Sequence, residues 1–399
     1  MSAGFLRRML PPVDPARPAV ASATAVNPLL PGAGSKLLAA AIVAGVVICP
    51  LVLDDPFWIT VLGNAGTFAV AALGLSLLTG FCGQVSLGHA AFLTVGGYLV
   101  AFFGAGWGWP LPAWLALAAA TGAVIGALVG PFALRFKGNY LVVVTLALIF
   151  VVTHVARNWE GFTGGFDGIS TNKAPLALGG LDFGDMSAFG QRLDRQQGLF
   201  YLSWILVGIS ALVVRNLVRS RPGRAMQAIR DRDLAAEVIG VSNARYKIAA
   251  FAISSALASV AGAVYAVGLR FITPNEPLAE LFLSIRFVAI IIVGGMGTVY
   301  GAVVGALLLG PLPELVKEFV SYLDVTVPGL GRPLVSDTVA AEPLFSTSSF
   351  SEALFGLLLV LTLLFQPRGI AGVVRSLRIR RAGRSRVAVL PQRADEESH

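Results

Sequence analysis

At 399 residues, 56% hydrophobic and only 13% charged, the chain has the make-up of a protein assembled from repeated apolar runs of about 20 residues, and a soluble protein of two or three domains is excluded. The formal charge of +8 sits in a chain too apolar for a nucleic-acid binder; it reports anchoring and orientation at an anionic membrane leaflet. Cys49 and Cys82 lie in apolar or glycine-rich stretches near predicted span ends, which fits packing and supports neither a disulfide framework nor a paired-cysteine metal site.

Residues 1–36 read as a flexible, proline-broken tail without the apolar core of a cleaved signal peptide, so the first span is expected to stay in the mature protein. The GAGSK run at 32–36 is too short for a phosphate loop, which needs the GxxxxGK[ST] spacing between a strand and a helix. Apolar runs bounded by charge, Pro or Gly then predict ten spans, near 37–53, 57–79, 83–104, 112–134, 139–156, 199–218, 247–269, 282–296, 298–320 and 351–366. The fold class predicted is an all-α polytopic helical bundle, with a membrane domain over 37–367 and a basic tail over 368–399. An inside N-terminus places Arg135, Lys137, the cluster from Arg215 to Lys247 and the tail arginines on the cytoplasmic side. Asp54, Asp55, Glu160, Asp167, Asp182, Asp185 and Asp194 then lie outside. Both termini are expected in the cytoplasm, and the basic tail is expected to face lipid rather than nucleic acid.

The stretch GFCGQVSLGHAAFLTVGGYL, residues 80–99, sets Gly83, Gly88, Gly96 and Gly97 around Gln84, Ser86 and His89 at the start of a span. Glycines allow close backbone approach, and unwound backbone at membrane depth is tolerated only where protein or water covers it. Gly83, Gln84, Ser86, Gly88 and His89 are therefore candidates for a pathway or a helix contact. His89 has no second His or carboxylate near it in sequence to suggest a metal. Gly122, Gly126 and Gly130, four apart, read as a tight helix crossing. The connections 157–197 and 321–350 are long, and loops of that size are uncommon unless they bind something or are disordered.

Residues 219–247 are a charged island between two apolar spans. Pro222 suits a first helical turn and Gly240 a stop, giving about four and a half turns on which Met226, Ile229, Ala236 and Ile239 share one side. The pattern fits two roles equally: a helix seated in a partner's groove, or an interfacial helix whose arginines reach lipid phosphates.

A second glycine run, with Gly294, Gly295 and Gly297, straddles an inner connection and opens a span, as packing or as one of two related halves. Charges within spans are scarce: Arg286 is expected to snorkel, and Glu314 and Lys317 lie near an outer end. No paired-carboxylate, zinc-spaced or nucleophile-elbow pattern occurs, so no catalytic residue, metal or cofactor is expected on this chain.

GQVSLGHAAF (83–92), RFKGNYLVVVTLA (135–147), NWEGFTGGFDGI (158–169), SRPGRAMQAIRDRDLAAEVIGV (220–241) and VGGMGTVYGAVVGA (293–306) resemble, in order and spacing, the LivM-type permease subunits of branched-chain amino-acid ABC importers. The resemblance covers most of 57–367. It implies that the island is similar to the EAA-type coupling loop, with Asp233, Ala235, Ala236 and Gly240 on that motif's acid, small pair and glycine. Arg224, Met226 and Ile229 complete the implied ATPase-coupling set. It further implies a second, LivH-type permease, two cytoplasmic ABC ATPase subunits that hold ATP and Mg, an outside substrate-binding protein, and the cell inner membrane as location. The chain departs from the family at Phe150, where members often carry an acid. Expected alternatives are a urea or short-amide permease of the same family and an ion-coupled carrier working alone.

Overall fold

The computed structural model describes residues 55–132, 139–188, 191–274 and 281–322, with scattered positions in 45–50 and 346–361. The helices are α1 (Pro56–Leu75), α2 (His89–Leu99), α3 (Leu111–Val129), α4 (Asn139–Asn158), α5 (Arg195–Arg219), α6 (Arg221–Asp231), α7 (Asp233–Val238), α8 (Asn243–Leu269), α9 (Leu281–Gly294), α10 (Val299–Leu309) and α11 (Leu312–Tyr322). A single turn, Glu160–Thr163, follows α4. The first two helices each continue as a π-turn, Ser76–Phe81 and Val100–Gly106.

Among the described residues, seven helices, with α10 and α11 counted together, are long and apolar enough to cross a membrane, and α9 is a shorter apolar helix. The predicted spans from 57–79 to 298–320 all fall on these helices. The spans 37–53 and 351–366 lie on residues outside the described set or described only at scattered positions, as do the tails and the 321–350 connection apart from its first residues. Two boundaries differ from the sequence reading. The second span begins at His89 rather than at 83, because residues 83–88 are irregular. The run 298–320 breaks at Gly310–Pro311, since Pro311 lacks an N–H and biases the preceding residue away from helix.

Successive spans alternate in direction, so the described helices have a charged end, carrying α6 and α7, and a far end. α8 lies at the centre and packs on α3, α2 and α1. Bare glycines make this possible. Gly96 lies on the Ser259 backbone, Gly262 on that of Leu93, and Gly122 and Gly126 on Ser255 and Ser259. Gly130 closes the row against Ile248. The expected tight crossing of the 122–130 glycines is thus the α3–α8 contact, held by van der Waals packing of close backbones. α1 is the most enclosed span and α4 the least. Phe150 lies on the exposed face of α4.

At the far end the connection from 157 to 188 is folded down on the helices. Ile169 and Ser170 pair antiparallel with Ile272 and Phe271, Thr171 Oγ1 donates to the Ala266 carbonyl at 2.7 Å, and Trp114 Nε1 donates to Pro175 at 3.0 Å. Beside it Phe102, Phe103, Trp107, Trp109, Trp159 and Phe162 stack in one cluster at the ends of two spans, where aromatic side chains favour a membrane boundary.

Candidate functional site

The charged end is built around the unwound segment between α1 and α2. A helix starting inside a bundle leaves its first N–H groups without partners, and here hydroxyls supply them, two of the three from distant helices. Leu87 N donates to Thr145 Oγ1 of α4 at 3.1 Å, Ala90 N to Ser284 Oγ of α9 at 2.9 Å, and Gly88 N to Ser86 Oγ at 3.3 Å. All three hydroxyl residues are buried. Gly88 is required because a Cβ there would stand 2.6 Å from the Thr145 carbonyl. His89 is also buried, edge-on to Phe92 and Phe287. Neither of its ring nitrogens has a partner of hydrogen-bond geometry, although the Ala71 backbone lies near enough to interact with the ring.

α6 folds back against the end of α5. Gly223 lies on the Leu217–Val218 backbone, and Gln227 Nε2 donates to Val218 at 3.2 Å. Met226, Ile229 and Ala236 share one side, but that side turns onto the bundle and is buried, where the sequence reading offered it to a partner's groove or to lipid. Ile239 does not join them: it is 75% exposed, next to exposed Leu234 and Val238. The island is two helices rather than one, because Arg232 is extended at φ −159° and ψ 104°. Asp233 restarts the helix, its carboxylate accepting from Leu234 N at 2.9 Å, a local bond that competes with continuous helix. Asn243 Nδ2 donates to the Asp233 carbonyl at 3.1 Å and ties α7 to the start of α8. Gly240 ends the segment at φ 86°. Arg224 and Ala235 are exposed, and Asp233 is half-buried.

The two glycine runs and the island meet at one side chain, Arg230. Its Nη1 donates to the Gly80 carbonyl at 2.8 Å, and its Nε and Nη2 donate to Asp231 Oδ1 at 3.2 and 3.1 Å. Gly83 and Gly297, at φ 74° and 73°, occupy the left-handed region that strains a side chain. A Cβ at Gly83 would stand 3.0 Å from Arg230 Cγ, and one at Gly297 3.1 Å from Arg230 Nη1 and 2.9 Å from the Gly80 carbonyl. Gly80 and Gly297 touch backbone to backbone, leaving no room for a Cβ. Gly294 faces Gly301 and Gly305 and packs α9 on α10, so it belongs to a helix hairpin. Gln84 is half-buried, its carbonyl accepting from Thr79 Oγ1 at 3.0 Å. Next to the joint, burial pushes the Cys82 thiol up to about 12, with nearby Lys247 opposing. No group of three His, Cys, Asp or Glu among the described residues is placed to hold a metal.

Residues 57–363 match the family model described as the branched-chain amino acid transport system permease component. The chain belongs to this family. It is 32% identical over 277 residues to the high-affinity branched-chain amino acid transport system permease protein LivM of Salmonella typhimurium, covering 66% of this chain and 64% of the relative. LivM of Escherichia coli matches at 32% over 281 residues, with the same shares. LivH of Escherichia coli matches at 24% over 274 residues, 65% of this chain and 85% of that one. The chain therefore spans 64% of the length of these LivM relatives. No solved structure matches it. Family membership and seven apolar helices make it a multi-pass membrane protein.

Two features of this permease escaped the sequence. Arg286 does not snorkel. It is buried, lies over the Phe68 ring at 4.9 Å, donates to the Gly310 carbonyl and pairs with Glu314 at 3.2 Å. A charge six residues into an apolar run, with an acid four residues after a helix break, was the available signal. Arg230, in contrast, is one of four charges in RDRD and carries no mark of its own.

Proposed function

We propose that this chain is a transmembrane permease subunit of an ATP-driven importer for branched-chain or other hydrophobic amino acids, and that it docks an ATPase through α6 and α7. The observation that carries the reading is the division of that segment. Met226, Ile229 and Ala236 fix it to the bundle, while Leu234, Val238 and Ile239 stand exposed beyond the spans. Apolar side chains left uncovered on a charged segment fit a partner's groove. The docking set is accordingly Leu234, Val238 and Ile239 with Arg224, Asp233 and Ala235, and the three buried residues serve to hold the segment.

The rest of the proposed assembly is a second LivH-type permease, two cytoplasmic ATPase subunits holding ATP and Mg, and an outside substrate-binding protein, in the cell inner membrane with both termini inside; the likeness to both LivM and LivH relatives supports a paired permease. Binding of ATP favours one arrangement of the ATPase pair, and a docking element with different contacts in the two states passes that preference to the spans. This chain supplies half of the passage and no ATP chemistry. Co-expression of the importer with a Leu234→Asp/Val238→Asp variant tests the docking. The chain should still accumulate in the membrane and should no longer co-purify the ATPase subunits. Full recovery of those subunits would reject α7 as the docking element. Competition of leucine against urea for uptake separates the amino-acid reading from the amide one.

A further inference from the structure

The docking segment reaches the spans through packing on α5 and α8 and, separately, through the Arg230 joint. We propose that Arg230 is the positioning residue that passes movement of α6 to the charged ends of α1 and the α9–α10 hairpin together. The inference rests on the docking role of α6 and α7 and adds the route by which that docking acts.

Three properties of the joint carry it. First, the Gly80 carbonyl belongs to the last turn of the π-segment that ends α1. The last carbonyls of a helix lack internal partners, and a cation is favoured there. A charge-assisted bond to that carbonyl is short and directional, so displacement of Arg230 pulls on α1 itself. Second, Gly80 meets Gly297 backbone to backbone. With no side chain between them to change rotamer, a shift of the first is handed to the second, and through Gly294 to α9 and α10. Third, the bare Cα of Gly83 seats the arginine stem while Asp231 holds the other face of the guanidinium. Arg230 is thereby aimed, although its side chain is 41% exposed and that of Asp231 68%. Exposed ion pairs add little to stability, so the arrangement is better suited to transmitting motion than to holding the fold.

The test uses the complete importer in proteoliposomes, with the two permeases, the ATPase subunits and the binding protein loaded with leucine. Arg230→Ala should keep the ATPase subunits bound and keep basal hydrolysis, while leucine moved per ATP falls about tenfold, the scale of a lost coupling contact. Arg230→Lys should recover part of that ratio, because an ammonium reaches Gly80 but cannot hold Asp231 with a second edge. An unchanged ratio in Arg230→Ala overturns the inference. Loss of ATPase co-purification also overturns it, by assigning Arg230 to the docking face, and leaves the docking reading intact. That reading fails on a different result, retention of the ATPase by Leu234→Asp/Val238→Asp. If Arg230→Ala, Arg230→Lys and Arg230→Gln all fail to accumulate, Arg230 is a folding residue and the proposal is wrong.

Discussion

Two arginines of the bundle are held in opposite ways. Arg286 is 7% exposed, stacked on Phe68 and matched to Glu314. Arg230 is partly solvated and makes one bond to a backbone carbonyl across a gap lined by glycine. A buried charge has to keep its counter-charge, because separation leaves it desolvated and unpaired. A half-exposed one stays hydrated whichever way it turns. Arg286 therefore acts as a lock between α9 and α11, and Arg230 as a joint. The lock ties α9 to α11, while the joint bears on the turn between α9 and α10.

Breaking the lock should have the largest effect. Arg286→Met removes the bond to the Gly310 carbonyl, the contact with Phe68 and the partner of Glu314; because the Glu314 side chain is 31% exposed, the cost falls at the low end of the about 3–5 kcal/mol lost when a buried pair is broken. Thermal unfolding in detergent should show a large drop. Arg286→Met/Glu314→Leu should recover most of it, because apolar residues of similar volume replace buried pairs at little cost. A single variant as stable as the wild type would remove Arg286 from this role.

Ser284 lies on the same helix as Arg286 and caps the start of α2, so it tests a buried contact that carries no charge. Ser284→Ala leaves the Ala90 N–H buried without a partner, as Thr145→Val does for Leu87, each at about 1–3 kcal/mol. The measure is again thermal unfolding, and both should fall short of the Arg286 single variant. An equal or larger loss would show that the capped segment, rather than the ion pair, dominates stability.

On the docking side the expected stability change is smaller still. Arg224→Ala and Leu234→Asp/Val238→Asp alter exposed side chains, and surface changes usually stay within about 0.5 kcal/mol. Unfolding curves should overlay the wild type while ATPase binding by the double variant is lost. A destabilised double variant would mean that α7 is held by Leu234 or Val238 rather than by Ala236 and Asn243.

The contrast also explains what the sequence made legible. Spans are written in it directly, because an apolar run of the right length has one stable use in a bilayer, and the run of α3 from Leu111 to Val129 needs no partner to be recognised. That Met226, Ile229 and Ala236 share a side was readable from helical spacing, but that the side covers the bundle rather than a partner or lipid was not. The exposure of Ile239 was not readable either, because α7 ends at Val238 and Ile239 is its C-cap, one residue before the Gly240 turn. Contacts between segments far apart in sequence were illegible for a different reason. Thr145 and Ser284 are ordinary small polar residues in apolar helices, and only the placement of the α2 start between α4 and α9 gives them donors to accept from. The glycines were conspicuous in sequence, yet their partner across the gap, Arg230, was hidden among similar charges.

The smallest expected effect is the most direct reading of the joint. Cys82 lies between Gly80 and Gly83, just past the span that ends at Phe81, and is buried. Burial raises its pKa to about 12. The thiolate is the reacting species, so at pH 7 to 8 almost none is present, and a Cys49→Ser variant should be alkylated far more slowly than a free thiol. Raising the pH by one unit should speed labelling about tenfold while the thiolate stays a minor species, because its fraction climbs tenfold per unit below the pKa. If α6 draws the end of α1 with it, addition of ATP and loaded binding protein to the assembled importer should expose Cys82 and accelerate labelling. The Arg230→Ala background should abolish that acceleration. The same acceleration with and without Arg230 would mean that α1 moves by another contact, and Arg230 would then be a passenger beside a joint driven from α5 or α8.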